Sequence, residues 1–83
     1  MNLSDEVRNY CEEKYIDPAR KSGKKTIRIR SGDVHTALGY RNRYPLVCSA
    51  LGSNIFEEMS KVKRLSIEGP LNGSNTEFTF EIA

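Results

Sequence analysis

The stretch Ser31–Leu51, SGDVHTALGYRNRYPLVCSAL, decides how this chain is read. Ser31 suits an N-cap, and Asp33 in the following turn suits the positive end of a helix dipole. Val34, Ala37 and Leu38 recur at helical spacing and mark a buried face. Gly39 then ends the helix, because glycine accepts the left-handed conformation that closes a C-terminus. Tyr40, Arg41, Asn42 and Arg43 form a turn. Pro45 fits the first position of a second helix, where no backbone N–H is needed. Val47, Ala50 and Leu51 give that helix its apolar side, which leaves Tyr44, Ser49, Cys48 and Ser53 pointing outward. Helix, glycine turn and helix within one short stretch is the spacing of a helix-turn-helix.

Upstream, Ser4 is an N-cap candidate followed by Asp5 and Glu6, and Val7, Tyr10, Cys11 and Tyr15 form one face of an amphipathic helix. That helix is expected to end near Ile16 or Asp17, since Pro18 disfavours helix at the residue before it, although a short turn through Ala19–Lys21 stays open. Arg20–Lys25, RKSGKK, reads as a basic loop around Gly23. Thr26–Arg30, TIRIR, alternates with period two, so it is a short strand with Ile27 and Ile29 inward.

Downstream, Gly52 and Ser53 are poor helix-interior residues and predict a break. Asn54 is positioned to cap a further segment, with Glu57 completing a capping box and Ile55, Phe56 and Met59 on the core side. Lys61–Glu68 reads as a strand with Leu65 and Ile67 inward, Gly69–Asn75 (GPLNGSN) as a loop, and Glu77–Ile82 as a strand with Phe78, Phe80 and Ile82 inward. The expected core is Val7, Tyr10, Cys11, Ile27, Ile29, Val34, Leu38, Val47, Leu51, Phe56, Leu65, Ile67, Phe78 and Phe80.

A chain of 83 residues with 37% hydrophobic and 29% charged residues is expected to form a single domain, residues 1–83, with one modest core. No apolar run is long enough to span a bilayer, and MNLSDEVRNY lacks the apolar region of a secretory signal. Cys11 and Cys48 are too few for a disulfide scaffold or zinc site, and both are expected to be reduced and partly buried in a cytoplasmic protein. Charge is uneven: Met1–Tyr15 carries −2, Ile16–Arg64 carries +7 and Leu65–Ala83 carries −3, which predicts one positive face between acidic ends. No nucleophile with a base, no metal-ligand cluster and no phosphate-cradling glycine loop appears, so no enzyme, cofactor, metal or small-molecule substrate is expected.

The order helix, strand, helix, helix, strand, strand, together with SGDVHTALGYRNRYPLVCSAL and GPLNGSN, resembles the winged helix-turn-helix superfamily over essentially the whole chain. The resemblance implies an α+β fold in which three helices pack on a small three-stranded antiparallel sheet. It implies binding of double-stranded DNA in transcription regulation, with Tyr44–Leu51 as recognition helix and GPLNGSN as wing. Arginine can grip guanine and asparagine adenine, while either can hold phosphate. Arg41, Asn42, Arg43, Tyr44 and Ser49 are therefore candidate contacts, and Arg30, His35 and Lys25 candidate phosphate or surface groups. Lys24, Arg28, Lys61, Lys63 and Arg64 are further cations for phosphate. Tyr44 has the alternative of a staple over the core. The wing tip has no lysine or arginine, which leaves a protein-interaction module as the competing reading. A homodimer through the acidic first helix is expected to supply the affinity that a lone monomer lacks.

Overall fold

The computed structural model describes residues 2–70 and 72–83; Leu71, within the predicted loop, lies outside the described residues. The chain opens with a long helical rod. Its first part, α1 (Leu3–Cys11), is capped by Asn2, whose side chain accepts from Asp5 N–H at 2.8 Å, so Ser4 lies inside the helix and is not its cap. A π-helical stretch, Glu12–Ile16, leads into α2 (Asp17–Lys21). The rod thus runs past Asp17, where the sequence predicted an end. Asp17 N–H donates to Glu12 O, five residues back, and this wider turn accommodates Pro18, whose ring would clash in an ordinary α-helix interior. The π turn also shifts the phase of the buried face. Val7, Cys11, Ile16 and Ala19 point inward, and Ile16 takes the place expected for Tyr15, which is half-buried.

The strands β1 (Thr26–Arg30), β2 (Val62–Glu68) and β3 (Glu77–Ile82) form an antiparallel sheet in the order β1-β3-β2. Ile27 pairs with Phe80 and Ile29 with Phe78, so the two alternating segments read from sequence present one apolar face. Between β1 and β2 lie α3 (Ser31–Ala37), α4 (Tyr44–Leu51) and α5 (Asn54–Ser60), making the fold α+β; with the rod this is four helical units, not the three expected, because the break at Gly52 sets α5 apart as a helix of its own. The core joins the rod's Val7, Cys11 and Ile16, α4's Val47 and Leu51, α5's Phe56 and the sheet's Ile29, Phe78 and Phe80. Phe56 meets Phe80 edge-to-face at 5.2 Å between ring centres. Tyr10, Ile27 and Leu38 are half-buried against this cluster.

Four expected core positions fail. Leu65 is 49% and Ile67 41% exposed, and Ile55 is 57% exposed. The cause in β2 is a bulge: Arg64 faces Phe80 but Ser66 faces Thr79, so Leu65 is an extra residue without a partner on β3. Ile67 keeps the inward register opposite Phe78 but lies on an edge strand where cover is incomplete. Ile55 faces outward because Ser53, one residue earlier than expected, caps α5 by accepting from Phe56 N–H at 3.3 Å. Ala37 is exposed, and the buried helix position goes to His35 instead. Both cysteines are free and buried, and burial pushes the Cys11 thiol up to about 12. Among the described residues, no helix is long and apolar enough to cross a membrane.

Candidate nucleic-acid interface

The site grows from the start of α3. Arg30, not Ser31, is the N-cap residue, and its extended backbone carries the chain straight from β1 into the helix. The first free helix N–H groups find acceptors in the β2–β3 loop: Ser31 N–H donates to Thr76 O and Gly32 N–H to Ser74 O, each at 2.9 Å. Ser31 Oγ donates to Gly73 O, and Arg30 grips Asn75 Oδ1 at 2.6 Å while pairing with Asp33 at 2.8 Å. The loop also holds itself, since Thr76 Oγ1 donates to Pro70 O. Loop carbonyls therefore occupy the place at the helix start where an anion would otherwise bind. The close approach needs Gly32, because a Cβ there would meet Ser74 O at 2.5 Å.

At its other end α3 closes as expected on Gly39, with φ at +70°, and Tyr40 N–H returns to His35 O at 3.1 Å. Asn42 then takes a left-handed conformation, with φ at +53°. Arg43 O accepts from Val47 N–H at 3.0 Å and opens α4, with Pro45 in its first turn. His35 organises this corner. It is buried; its Nε2 accepts from Arg43 N–H at 3.1 Å, and its ring stacks on Tyr44 at 3.9 Å and meets Tyr40 edge-on at 6.0 Å. The surface role expected for His35 is thus replaced by an internal one that fixes the turn. The Tyr40 hydroxyl donates to Glu6 Oε1 and ties the turn to α1. Burial, that hydrogen bond and the Glu6 charge together raise the Tyr40 phenol to about 12.

Arg41, Asn42 and Arg43 are exposed, Tyr44 is half-buried and Ser49 is exposed on α4. Arg41–Tyr44 follow one another through the turn into α4, whereas Ser49 lies five residues beyond Tyr44 and about 140° round the helix from it. Cys48, expected outward, is buried beside Gly73 O. Arg30 does not join the group, because Asp33 and Asn75 already hold it. Lys25 is far away: Tyr40 touches the rod at Glu6, whereas Lys24 N–H meets it at Ala19 O, 13 residues on, or about 20 Å at 1.5 Å per residue. The single positive face expected from charge order is therefore two cationic regions at opposite ends of the rod.

Of the seven arginines, Arg8, Arg20, Arg30 and Arg64 are taken up by hydrogen bonds within the fold. Among the described residues, none of the ion pairs involves Arg28, Arg41 or Arg43, and two of these three flank Asn42. The Glu6 carboxylate borders the corner through its hydrogen bond with Tyr40. Sequence reading missed the loop clamp and the buried role of His35. A hint of the first was Gly32, a residue unfavourable in a helix unless another backbone comes close. Comparisons with protein-family models, with curated proteins and with solved structures found no match to this chain.

Proposed function

We propose that this chain is a winged-helix domain that binds double-stranded DNA through the α3–turn–α4 corner and acts in transcription regulation. The observation that carries this reading is the exposed Arg41-Asn42-Arg43 triplet, held by the His35–Arg43 hydrogen bond at the entrance to α4. The two guanidiniums supply phosphate or guanine contacts, and Asn42 and Ser49 supply neutral ones. The sheet order β1-β3-β2 supports the reading as well, although α5 is a helix beyond the three expected. α4 carries no charged side chain, so affinity comes from the turn and selectivity from Asn42, Tyr44 and Ser49. A second copy, docked through the acidic side of α1, doubles the cationic contacts.

One observation favours the competing reading, a protein-interaction module: the β2–β3 loop is committed to α3 and offers no cation. Titrating labelled random duplex DNA at several salt concentrations separates the two. DNA binding predicts a linear fall of log affinity with log salt, and replacing both Arg41 and Arg43 by Ala lowers that slope by about 2 if each holds one phosphate. Absence of binding at low salt, or an unchanged slope in the double variant, refutes it.

A further inference from the structure

The cations at the other end of the rod lie outside this reading, and beside them β1 is an edge strand on whose free side no hydrogen bond from another element falls among the described residues. The two edges differ. On β2, Arg64 N–H donates to Glu57 Oε2 at 2.9 Å, so α5 fills an edge position, and the bulge at Leu65 breaks the strand's regularity. The parity of β1 follows from its flanks: Ile82 N–H donates to Lys25 O at 2.8 Å and Ser31 N–H to Thr76 O at 2.9 Å. Hydrogen-bonded positions alternate in an antiparallel ladder, so Ile27 and Ile29 bond to β3 and the backbone groups of Thr26 and Arg28 point along the free edge.

Beside that edge, a cavity of about 170 Å³ opens between the rod and β1. Half-buried Tyr15 and Ile27, with Pro18 and Ala19, give it apolar walls, and exposed Lys14, Ser22 and Lys24 complete its lining. Its size compares with the roughly 150 Å³ apolar cavity that admits benzene, so it fits one aromatic or branched side chain. Arg28 lies on the outer face, opposite Thr79 in register and one strand out from Glu77 and Glu81 of β3 on the same face, and Lys21 and Lys25 are exposed beside the edge.

We infer that the β1 edge binds an extended acidic peptide, which adds as a fourth strand and places an apolar side chain in this cavity. The pleat selects the partner. Side chains of an added strand alternate between the helix side, where the cavity is, and the outer side, where Arg28 is. A segment alternating apolar and acidic residues meets both, and the surrounding lysines favour its negative charge. The inference is independent of the DNA reading, since the two surfaces lie about 20 Å apart along the rod.

The test is an amide NMR and affinity titration of the whole chain with the peptide acetyl-EVEFEVE-amide, with acetyl-KVKFKVK-amide and random duplex DNA as further arms. The acidic peptide is expected to shift Thr26–Arg30 and the cavity residues, leaving Tyr40–Arg43 in place. Lys24→Glu and Ser22→Trp alter exposed positions and should each weaken binding at least about tenfold without changing thermal stability. The inference is overturned if the acidic peptide shifts no β1 resonance, if the basic peptide binds equally well, or if both variants bind like the parent. It is also overturned if duplex DNA displaces the peptide while shifting Lys24–Arg28, since those cations then serve nucleic acid.

Discussion

The contact between Gly32 and the β2–β3 loop makes a quantitative prediction. In Gly32→Ala the new Cβ would sit 2.5 Å from Ser74 O, a backbone atom that cannot swing aside like a side-chain tip. Overpacking of this kind costs roughly 1–3 kcal/mol, and relief by moving the loop sacrifices the Gly32–Ser74 hydrogen bond, worth roughly 0.5–1.5 kcal/mol. These are two routes out of one clash and do not add. Alanine regains roughly 0.5–1 kcal/mol over glycine inside a helix. Subtracting that gain leaves a net loss of about 1 kcal/mol. For a domain of this size each kcal/mol moves the melting temperature by roughly 4–8 °C, so a fall of about 4–8 °C is expected by circular dichroism. Gly39→Ala is the contrast: its Cβ meets nothing within 4 Å, and only the left-handed backbone, φ +70°, is unfavourable. The Gly32 variant should leave DNA affinity unchanged below its melting range, because the loop serves α3 and not the contact surface. A Gly32→Ala protein that melts at or above the parent temperature would refute the clamp.

Two further outcomes follow from burial. Leu65→Ala should change stability by no more than about 0.5 kcal/mol, the range of exposed positions, whereas an inward Leu65 would cost roughly 2–5 kcal/mol; urea unfolding distinguishes these. Cys11 and Tyr40 both ionise at about 12 in the folded chain, above the ordinary 9.0 and 10.0. Each group's stabilising share is complete below its ordinary value and is lost as pH rises through the folded one. These two groups should therefore make stability fall above about pH 9, with Cys11 resisting alkylation until the chain unfolds. Alkylation of Cys11 at the rate of a free thiol in the folded protein would contradict its burial.

Period-two alternation was a dependable signal for β1 and β3, because Ile27, Ile29, Phe78 and Phe80 line one face in matching register. The corner was legible too: Gly39 needs its left-handed backbone, Pro45 tolerates only an early helix position, and the break at Gly52 is a real one. What sequence could not supply were effects of long-range contact. Leu65 and Ile67 have strand periodicity, but a bulge resets the face of the first and incomplete cover exposes the second. Pro18 marks a helix end by local rules, yet a π turn carries the rod through it. His35 looked like a lone surface histidine because its partners, Tyr40, Arg43 and Tyr44, come near only when the turn folds back. Charge order merged two basic regions that the rod holds apart. Of the eight candidate residues, Arg41, Asn42, Arg43 and Tyr44 are consecutive at the turn and Ser49 is exposed farther along α4, whereas Arg30 is engaged by the loop, His35 is internal and Lys25 is remote.

The central claim is that the Tyr40–Ser49 corner is the surface that meets DNA. Amide NMR shifts of the full chain on adding short random duplex DNA test it most directly. The account predicts shifts at Arg41, Asn42, Arg43, Tyr44 and Ser49 that fade as salt is raised, with the β2–β3 loop and Thr26–Arg30 unmoved. Shifts confined to other surfaces, with those five residues silent, would contradict it.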